Sequence, residues 1–419
     1  MKNKKFWCCN ALVSLACIAV YFPILGHDFL TAWDDGWQVF NEYTETWSLA
    51  NFWYILTEYY HGQFSPSNQI LYTILHRFVG YHPACFHLMS LILHIGNSLL
   101  IFIILRRILI FRLTAEAEHK ILSVSLGVAL LFAIHPLQVE SVAWISASKI
   151  LVYTFFYLLA LWFYLCFLEK GKKGIFYFAV LLCYVVSFGG KEQAIMLPLC
   201  LLLIDYVYRR NFRESALWYE KMPIMVLTVV FVYTTMESTG HVQTLVSGQT
   251  YPLLHRFVFT CYAFFEYIVK TFFPFNLLYL YPFPMLIGEP LPTRFWIYPA
   301  LLLVIGAGFW KFFWQRYVLL GLLWFVIHIS MMLHILPLPR LSIVADRYIY
   351  LAFPGLFFIM AWYIYSVWEM RAQYRRWIFA GCIAFLLLLG AIAHHRANVW
   401  HDNASLKRGV QEMLFQRRE

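Results

Sequence analysis

Two adjacent carboxylates, Asp34 and Asp35, follow a long apolar run near the start of the chain. A carboxylate within hydrogen-bond reach of a hydroxyl group can remove its proton as a general base. Three cations in other segments between apolar runs, each segment also carrying a carboxylate, could neutralise a phosphate as it leaves. These cations are Lys149, Lys191 and Arg347. This combination suits transfer from a lipid-anchored sugar phosphate, although an acid pair that merely solvates a helix end has the same sequence.

The elements that must position these residues are membrane helices. The 419 residues are 62% hydrophobic and 13% charged, and their mean hydropathy is +0.65. A soluble domain is about 45–50% apolar and about 25% charged. With its repeated apolar runs, the chain is predicted to be an all-α polytopic membrane protein with a single membrane domain. The nine cysteines lie mostly inside apolar runs and indicate no disulfide framework.

The net charge of +10 does not indicate a nucleic-acid partner, because the basic residues cluster at the ends of apolar runs. Such clusters mark cytoplasmic loops in membrane proteins. Placing them all in the cytoplasm predicts about eleven transmembrane helices, with the N-terminus inside and the C-terminal tail outside. The predicted spans lie near 6–26, 84–105, 121–135, 150–168, 175–189, 194–208, 222–236, 296–311, 317–336, 348–369 and 377–393.

Three organisational predictions accompany this topology. Residues 1–395 form the transmembrane domain, and 396–419 form a short external tail. The segment 255–280 is apolar enough to span, but we expect an interfacial or re-entrant helix because its polar residues form a stripe. The external loop 27–83 contains "TWSLANFWYILTEYYHG", whose helical apolar spacing predicts an amphipathic helix lying on the membrane.

Four stretches carry a resemblance to a known family. They are "HPACFHLMSLILHIGNSLL", "HPLQVESVAWISASKILV", "GGKEQAIMLPLCLLLIDY" and "VADRYIYLAFPGLF". Together they resemble the transmembrane and tetratricopeptide-repeat-containing O-mannosyltransferases, which are C-type (GT-C) membrane glycosyltransferases. The resemblance runs in order from about Asp28 to the tail and implies the GT-C fold, with interfacial helices in the external loops.

The resemblance implies an inverting transfer of a sugar, mannose in the animal members, from a polyprenyl phosphate to Ser or Thr of exported polypeptides. It also implies that the first external loop supplies the catalytic acid. That acid is Asp34 here, with Asp35 as its neighbour or substitute. Arg347, Lys191 and Lys149 are the candidates for the donor phosphate, and arginine can grip a phosphate with two parallel hydrogen bonds.

Five further residues are candidates for a supporting role, although a structural role at a helix end suits several of them equally. They are His61, His135, Glu140, Glu192 and Asp346. Asp346 would orient Arg347, and Lys191 and Glu192, as adjacent residues, would not pair with each other in a helix. The histidines form no convincing ligand set, so we expect no metal site and no cofactor. Some GT-C enzymes nevertheless hold a divalent ion between loop carboxylates.

The chain departs from the family pattern in two places. Many bacterial relatives have an acidic and basic run after the HP block, of which only Lys149 remains here. The tetratricopeptide repeats that usually follow the last span do not appear, so we expect a different mode of acceptor recognition. We expect a bacterial inner-membrane protein whose active site and C-terminus face the periplasm.

Two other functions stay open at the level of sequence. The same GT-C chemistry could modify a lipid or a polysaccharide instead of a protein. A lipid-linked sugar transporter or flippase would make no bond, but it should show inverted repeats and ionisable groups at mid-membrane. The ionisable residues here concentrate at one predicted face, which favours an enzyme, and no glycine-rich nucleotide loop is present.

Overall fold

A computed structural model describes residues 2–113, 117–245, 251–335 and 342–416 of the chain. These residues form helices joined by short turns, and no strand occurs among them. The first ten helices are α1 (Lys2–Tyr21), α2 (Asp35–Gln38), α3 (Glu42–Glu45), α4 (Leu49–Thr57), α5 (Pro66–Val79), α6 (Pro83–Arg112), α7 (Glu118–Ile134), α8 (Val139–Ala143), α9 (Ser148–Glu169) and α10 (Gly174–Phe188). The others are α11 (Leu197–Val207), α12 (Ser215–Leu245), α13 (Leu253–Phe272), α14 (Ile297–Gly308), α15 (Trp310–Phe313), α16 (Arg316–Ile329), α17 (Phe353–Met370), α18 (Arg375–Ala397) and α19 (Asn403–Gln416).

Five helical segments in the described part of the chain are long and apolar enough to cross a membrane. They are Lys4–Gly26, Pro83–Arg112, Ile145–Glu169, Ser215–Ser238 and Ala372–Trp400. The pair Glu118–Ile134 and Pro136–Ala143 gives a sixth if the two helices, bent by 52°, form one span. These segments establish an all-α membrane protein. A helix occupies most of each of the eleven predicted spans, but several are short, so the count of eleven and the orientation stay predictions.

The bend between α7 and α8 follows from its sequence. Pro136 cannot donate to the helix before it, and a residue that precedes proline is driven to an extended backbone. His135 adopts φ −70° and ψ 135° accordingly, and α7 ends at Ile134. The chain then turns back through Pro136–Gln138 into α8, which places Glu140 beside the core of the bundle.

The core lies where α6, α7, α9 and α17 pack together, with α1 against α6 and α7. Tyr157, Leu161 and Val128 are wholly buried there. α10 packs along α9, and the two helices approach closely at the external turn, where a side chain at Gly190 would meet the backbone of Tyr153. Small residues at such a crossing let two membrane helices come near each other.

The segment predicted to be interfacial or re-entrant contains α13, which is not among the helices apolar enough to span. Its polar stripe is present: the Lys270 ammonium lies 3.7 Å from the Glu266 carboxylate, and Arg256 donates to the Ile335 carbonyl at 2.8 Å. Ala263, on the same helix, is buried. Whether α13 lies in the interface or re-enters the membrane stays a prediction.

The first external loop is more ordered than its sequence suggests, because four helices, α2 to α5, form within it. The predicted amphipathic helix is α4, and Ser48 caps it by accepting a hydrogen bond from the Asn51 amide at 3.1 Å. Leu49 and Trp53 are exposed, whereas Ile55 faces the protein. The exposed apolar face is that of a helix lying on a membrane surface.

The tail 396–419 does not stand apart from the first external loop. The backbone N–H of Asp28 donates to the His401 carbonyl at 2.9 Å. Asn403 then accepts from the Ala32 amide at 3.1 Å and donates to the Thr31 hydroxyl at 3.0 Å. The residues just after α18 therefore hold the segment that leads into Asp34.

The close approach at Gly190 gives a test of this packing. A β-carbon at position 190 would lie 2.8 Å from the Tyr153 backbone nitrogen, so Gly190→Ala must move α10 away from α9. We expect a loss of about 1–3 kcal/mol in the free energy of unfolding, the usual cost of overpacking. Thermal unfolding in detergent measures it. Gly306→Ala is the control, since it meets no atom, and equal stability of the two variants would contradict the packing described.

Candidate active site

A cavity of about 450 Å³ opens between the first external loop and the turns that precede α9, α11 and α17. Six of the ten residues predicted from the sequence line it. They are Asp34, His61, Lys149, Lys191, Glu192 and Arg347. These residues come from four segments of the chain, so the fold gathers side chains that the sequence keeps more than 300 positions apart.

Asp34 stands immediately before α2 and is half-buried in the wall of the cavity. The indole N–H of Trp37 donates to its Oδ1 at 3.3 Å. His61 packs on the same tryptophan with ring centroids 4.8 Å apart, and its left-handed backbone, φ 47°, turns the loop at this point. Asp34 thus keeps a carboxylate oxygen exposed toward the cavity while one neighbour fixes its orientation.

Asp35 is wholly buried and is not among the residues that line the cavity. Its Oδ2 accepts from the Leu30 amide at 2.8 Å, and its Oδ1 accepts from the Ser146 amide at 2.9 Å and from the Ser146 hydroxyl. Burial raises the pKa of Asp35 from 3.8 to about 6, against the hydrogen bonds from Ser146 and Leu30, and the nearby Asp34 charge adds to the rise. The two adjacent acids therefore have different surroundings: Asp34 faces the cavity, and Asp35 ties the loop to the turn before α9.

Arg347 is held by Glu140. Its backbone N–H donates to Glu140 Oε2 at 2.9 Å, and its Nη1 donates to Oε1. The guanidinium also lies 5.4 Å from the ring centroid of Trp144. Burial acts to lower the pKa of Arg347, but Glu140 raises it above its ordinary value, with a further contribution from Asp34. A guanidinium carries five N–H donors, so Glu140 fixes Arg347 and leaves donors for an anion.

Lys149 differs from the other two cations because its partners are neutral. Its ammonium lies 2.8 Å from Gln63 Oε1 and 3.4 Å from Gln38 Oε1. Among the described residues no carboxylate lies within ion-pairing distance of it. A partly buried cation without a counter-charge is costly, and an anion bound in the cavity would remove that cost.

Lys191 and Glu192 pair with each other at 3.3 Å, so the prediction that these adjacent residues could not bridge was wrong. The prediction assumed a helix. Lys191 has an extended backbone instead, with φ −161° and ψ 146°, and the short turn Glu192–Met196 begins after it. Both side chains line the cavity, and Lys191 is the third cation in its wall.

Two predicted supporting residues lie away from the cavity. Asp346 does not orient Arg347, since its carboxylate pairs with Arg396 at 2.5 Å and accepts from the Tyr281 hydroxyl at 3.1 Å. His135 is buried, and its Nδ1 accepts from the Leu137 amide at 3.3 Å, so its Nε2–H donates to the Thr271 carbonyl at 3.1 Å. Glu140 takes the orienting role that the sequence gave to Asp346.

Sequence reasoning missed three residues that shape the site: Gln38, Gln63 and Ser146. They carry no charge, and their spacing follows no motif, so only the tertiary contacts reveal them. In the part of the chain that the structure describes, no group of three or more His, Cys, Asp or Glu side chains is placed to hold a metal ion.

The fold and this cavity define an all-α, multi-pass membrane protein with a polar site at one end of its helices. No protein-family model matches the chain. Over 99 residues it is 35% identical to Protein O-mannosyl-transferase TMTC4 of Homo sapiens. The match covers 23% of this chain and 13% of the human protein, so the similarity is partial.

The surroundings of Asp35 predict a pH dependence of stability. Its folded pKa, about 6, lies above the unfolded value near 3.8, so the folded protein holds a proton that the unfolded chain releases between these values. This contribution to the free energy of unfolding, about 3 kcal/mol, is present below pH 4 and is lost as the pH rises through 6.

Thermal unfolding in detergent from pH 4 to pH 8 measures this contribution. We expect Asp35→Asn to remove the pH dependence. Asp34→Asn is the control and should retain it, because Asp34 is the adjacent acid but lacks the buried hydrogen bonds of Asp35. The same pH dependence in wild type and Asp35→Asn would contradict the assignment.

Proposed function

We propose that this protein is an inverting glycosyltransferase that moves a sugar, mannose in the first instance, from a polyprenyl phosphate to Ser or Thr hydroxyls of exported proteins. The observation that carries the proposal is the single cavity in which a half-buried carboxylate, Asp34, faces three cations. The partial similarity to a human protein O-mannosyl-transferase supports the same class of reaction.

In the proposed reaction Asp34 accepts the proton of the acceptor hydroxyl. The hydroxyl oxygen attacks the anomeric carbon of the donor while the bond from that carbon to the phosphate oxygen breaks. The leaving polyprenyl phosphate takes the bonding electrons and gains a negative charge. A single displacement from the opposite face inverts the configuration at the anomeric carbon, and the proton on Asp34 then passes to solvent.

Arg347, Lys149 and Lys191 bind the phosphate in this proposal. Their charges favour the transition state because negative charge grows on the phosphate as the bond breaks. Glu140 and Glu192 hold Arg347 and Lys191 in place before the donor arrives. Charge neutralisation thus comes from side chains, and the proposal includes no metal or other cofactor.

Asp35 has a positioning role in the proposal. By accepting both hydrogen bonds from Ser146, it links the base on the first external loop to the segment that carries Lys149. A base and a phosphate-binding cation set at a fixed separation keep the reacting atoms aligned, and such alignment is a large part of catalytic power.

We also propose the side of the membrane that the cavity faces. With the basic clusters in the cytoplasm, the cavity faces the exported side of the membrane, where a polyprenyl chain lies in the bilayer and an exported polypeptide is in solution. We propose the bacterial inner membrane, with the cavity on its periplasmic side. α4, with its exposed apolar face, lies on the membrane surface beside the site.

Asp34→Asn tests the base. Asparagine keeps the size of the side chain but cannot take the proton, so we expect transfer from polyprenyl-phosphate mannose to Ser/Thr peptides to fall about 10²–10⁴-fold in kcat. Asp28→Asn is the control because Asp28 is an exposed acid on the same loop. We expect a chelator to leave the wild-type rate unchanged. An Asp34→Asn enzyme as fast as the control would overturn the mechanism.

Lys149→Met tests the phosphate site. Losing one charge-assisted hydrogen bond to the donor phosphate should lower kcat/KM about 10- to 100-fold. Lys120→Met is the matched control, since Lys120 pairs with Glu369 at 3.4 Å away from the cavity. The kcat/KM for the donor is measured in both variants by varying the donor at saturating peptide. Equal values would show that Lys149 does not bind the phosphate.

A further inference from the structure

A second, smaller cavity of about 30 Å³ adjoins the large one within the first external loop. The two cavities share Trp37, Gln63 and Ser65 in their walls. A volume of this size holds about one or two water-sized groups, so it admits a short substituent and excludes a whole sugar ring. Because the walls are shared, a molecule bound in the large cavity can extend a short substituent into the small one.

The inner wall of the small cavity contains a buried donor without an acceptor. Gln38 is 6% exposed, and its Oε1 faces the Lys149 ammonium. Its amide nitrogen is buried and makes no hydrogen bond. A buried donor left unpaired costs about 1–3 kcal/mol, which indicates a place where a ligand oxygen completes the structure.

The other walls have the chemistry of a carbohydrate site. Tyr43, Tyr54 and Tyr60 line the cavity, and Glu58, which accepts from the Tyr43 hydroxyl at 3.5 Å, supplies an acceptor for a hydroxyl proton. A hydroxyl group needs both an acceptor and a donor, and aromatic faces suit the C–H groups beside it. The cavity therefore fits a carbon that carries one hydroxyl.

We propose that the small cavity receives the exocyclic hydroxymethyl group of a hexose donor and that Gln38 determines specificity for it. The inference rests on the proposed function, because it is the donor phosphate at Lys149 that places the sugar beside Gln38. The Gln38 amide N–H donates to the hydroxymethyl oxygen while Gln38 Oε1 stays on the Lys149 ammonium. One side chain thus couples the phosphate site to recognition of the sugar.

The test compares two donors, polyprenyl-phosphate mannose and polyprenyl-phosphate 6-deoxymannose, which differ only in that hydroxyl. We expect the wild type to prefer mannose by at least about 10-fold in kcat/KM, since a site built to bond a hydroxyl rejects the analogue without it. Gln38→Met should reduce the preference to about one. Lys191→Met is the control: it loses a cation that lines only the large cavity, so it should slow both donors equally.

A preference in Gln38→Met equal to that of the wild type would overturn the inference while leaving the proposed function intact. A wild type that transfers neither sugar would contradict the proposed function, and the assignment of the small cavity with it. If Gln38→Met does not fold, Gln38→Glu keeps the oxygen near Lys149 and lacks the N–H. We expect it to lose the preference as well.

Discussion

A charge that is buried away from water is costly unless an opposite charge or hydrogen bonds compensate it, and this constraint organises the residues around the large cavity. Asp35 satisfies it inside the protein through three hydrogen bonds, one from Leu30 in its own loop and two from Ser146 in the turn before α9. That carboxylate, together with the Tyr72 hydroxyl, which donates to the Ile145 carbonyl at 2.7 Å, holds the loop against the turn before α9. Asp34, the neighbouring residue, faces the cavity because Asp35 fixes the backbone beside it.

The same constraint separates cations that the protein itself neutralises from cations that keep donors available to an anion. Arg396 pairs with Asp346, donates to the carbonyls of Pro136 and Leu278, and does not line the cavity, so it belongs to the framework. Arg347 is oriented by Glu140 but still faces the cavity, and Lys149 has only neutral partners. The fewer protein groups neutralise a cation, the more freely it can bind an anion. By this measure Lys149 comes first, Arg347 second and Arg396 last.

Much of this architecture is predictable from the sequence. Long apolar runs predict the membrane helices, the spacing near 49–57 predicts the amphipathic helix, and six of the ten candidate residues line one cavity. The sequence does not predict which ion-pair or hydrogen-bond partner each of these residues finds. Asp346 and Arg347 are adjacent, yet one turns to Arg396 and the other to Glu140, because a short turn points neighbouring side chains in different directions. Gln38 carries no charge, so only its buried, unpaired amide nitrogen reveals it.

The hydrogen bonds between the first external loop and the residues after α18 have a consequence for biosynthesis. Asp28 and Thr31 contact His401 and Asn403, which a ribosome makes more than 370 residues later, and Arg347 also follows Glu140 by more than 200 positions. Membrane helices enter the bilayer in chain order, and domains form from the N-terminus onward. The loop that carries Asp34 and Asp35 therefore gains its last hydrogen bonds only after the C-terminal helices have been made, and the cavity is complete only in the full-length chain.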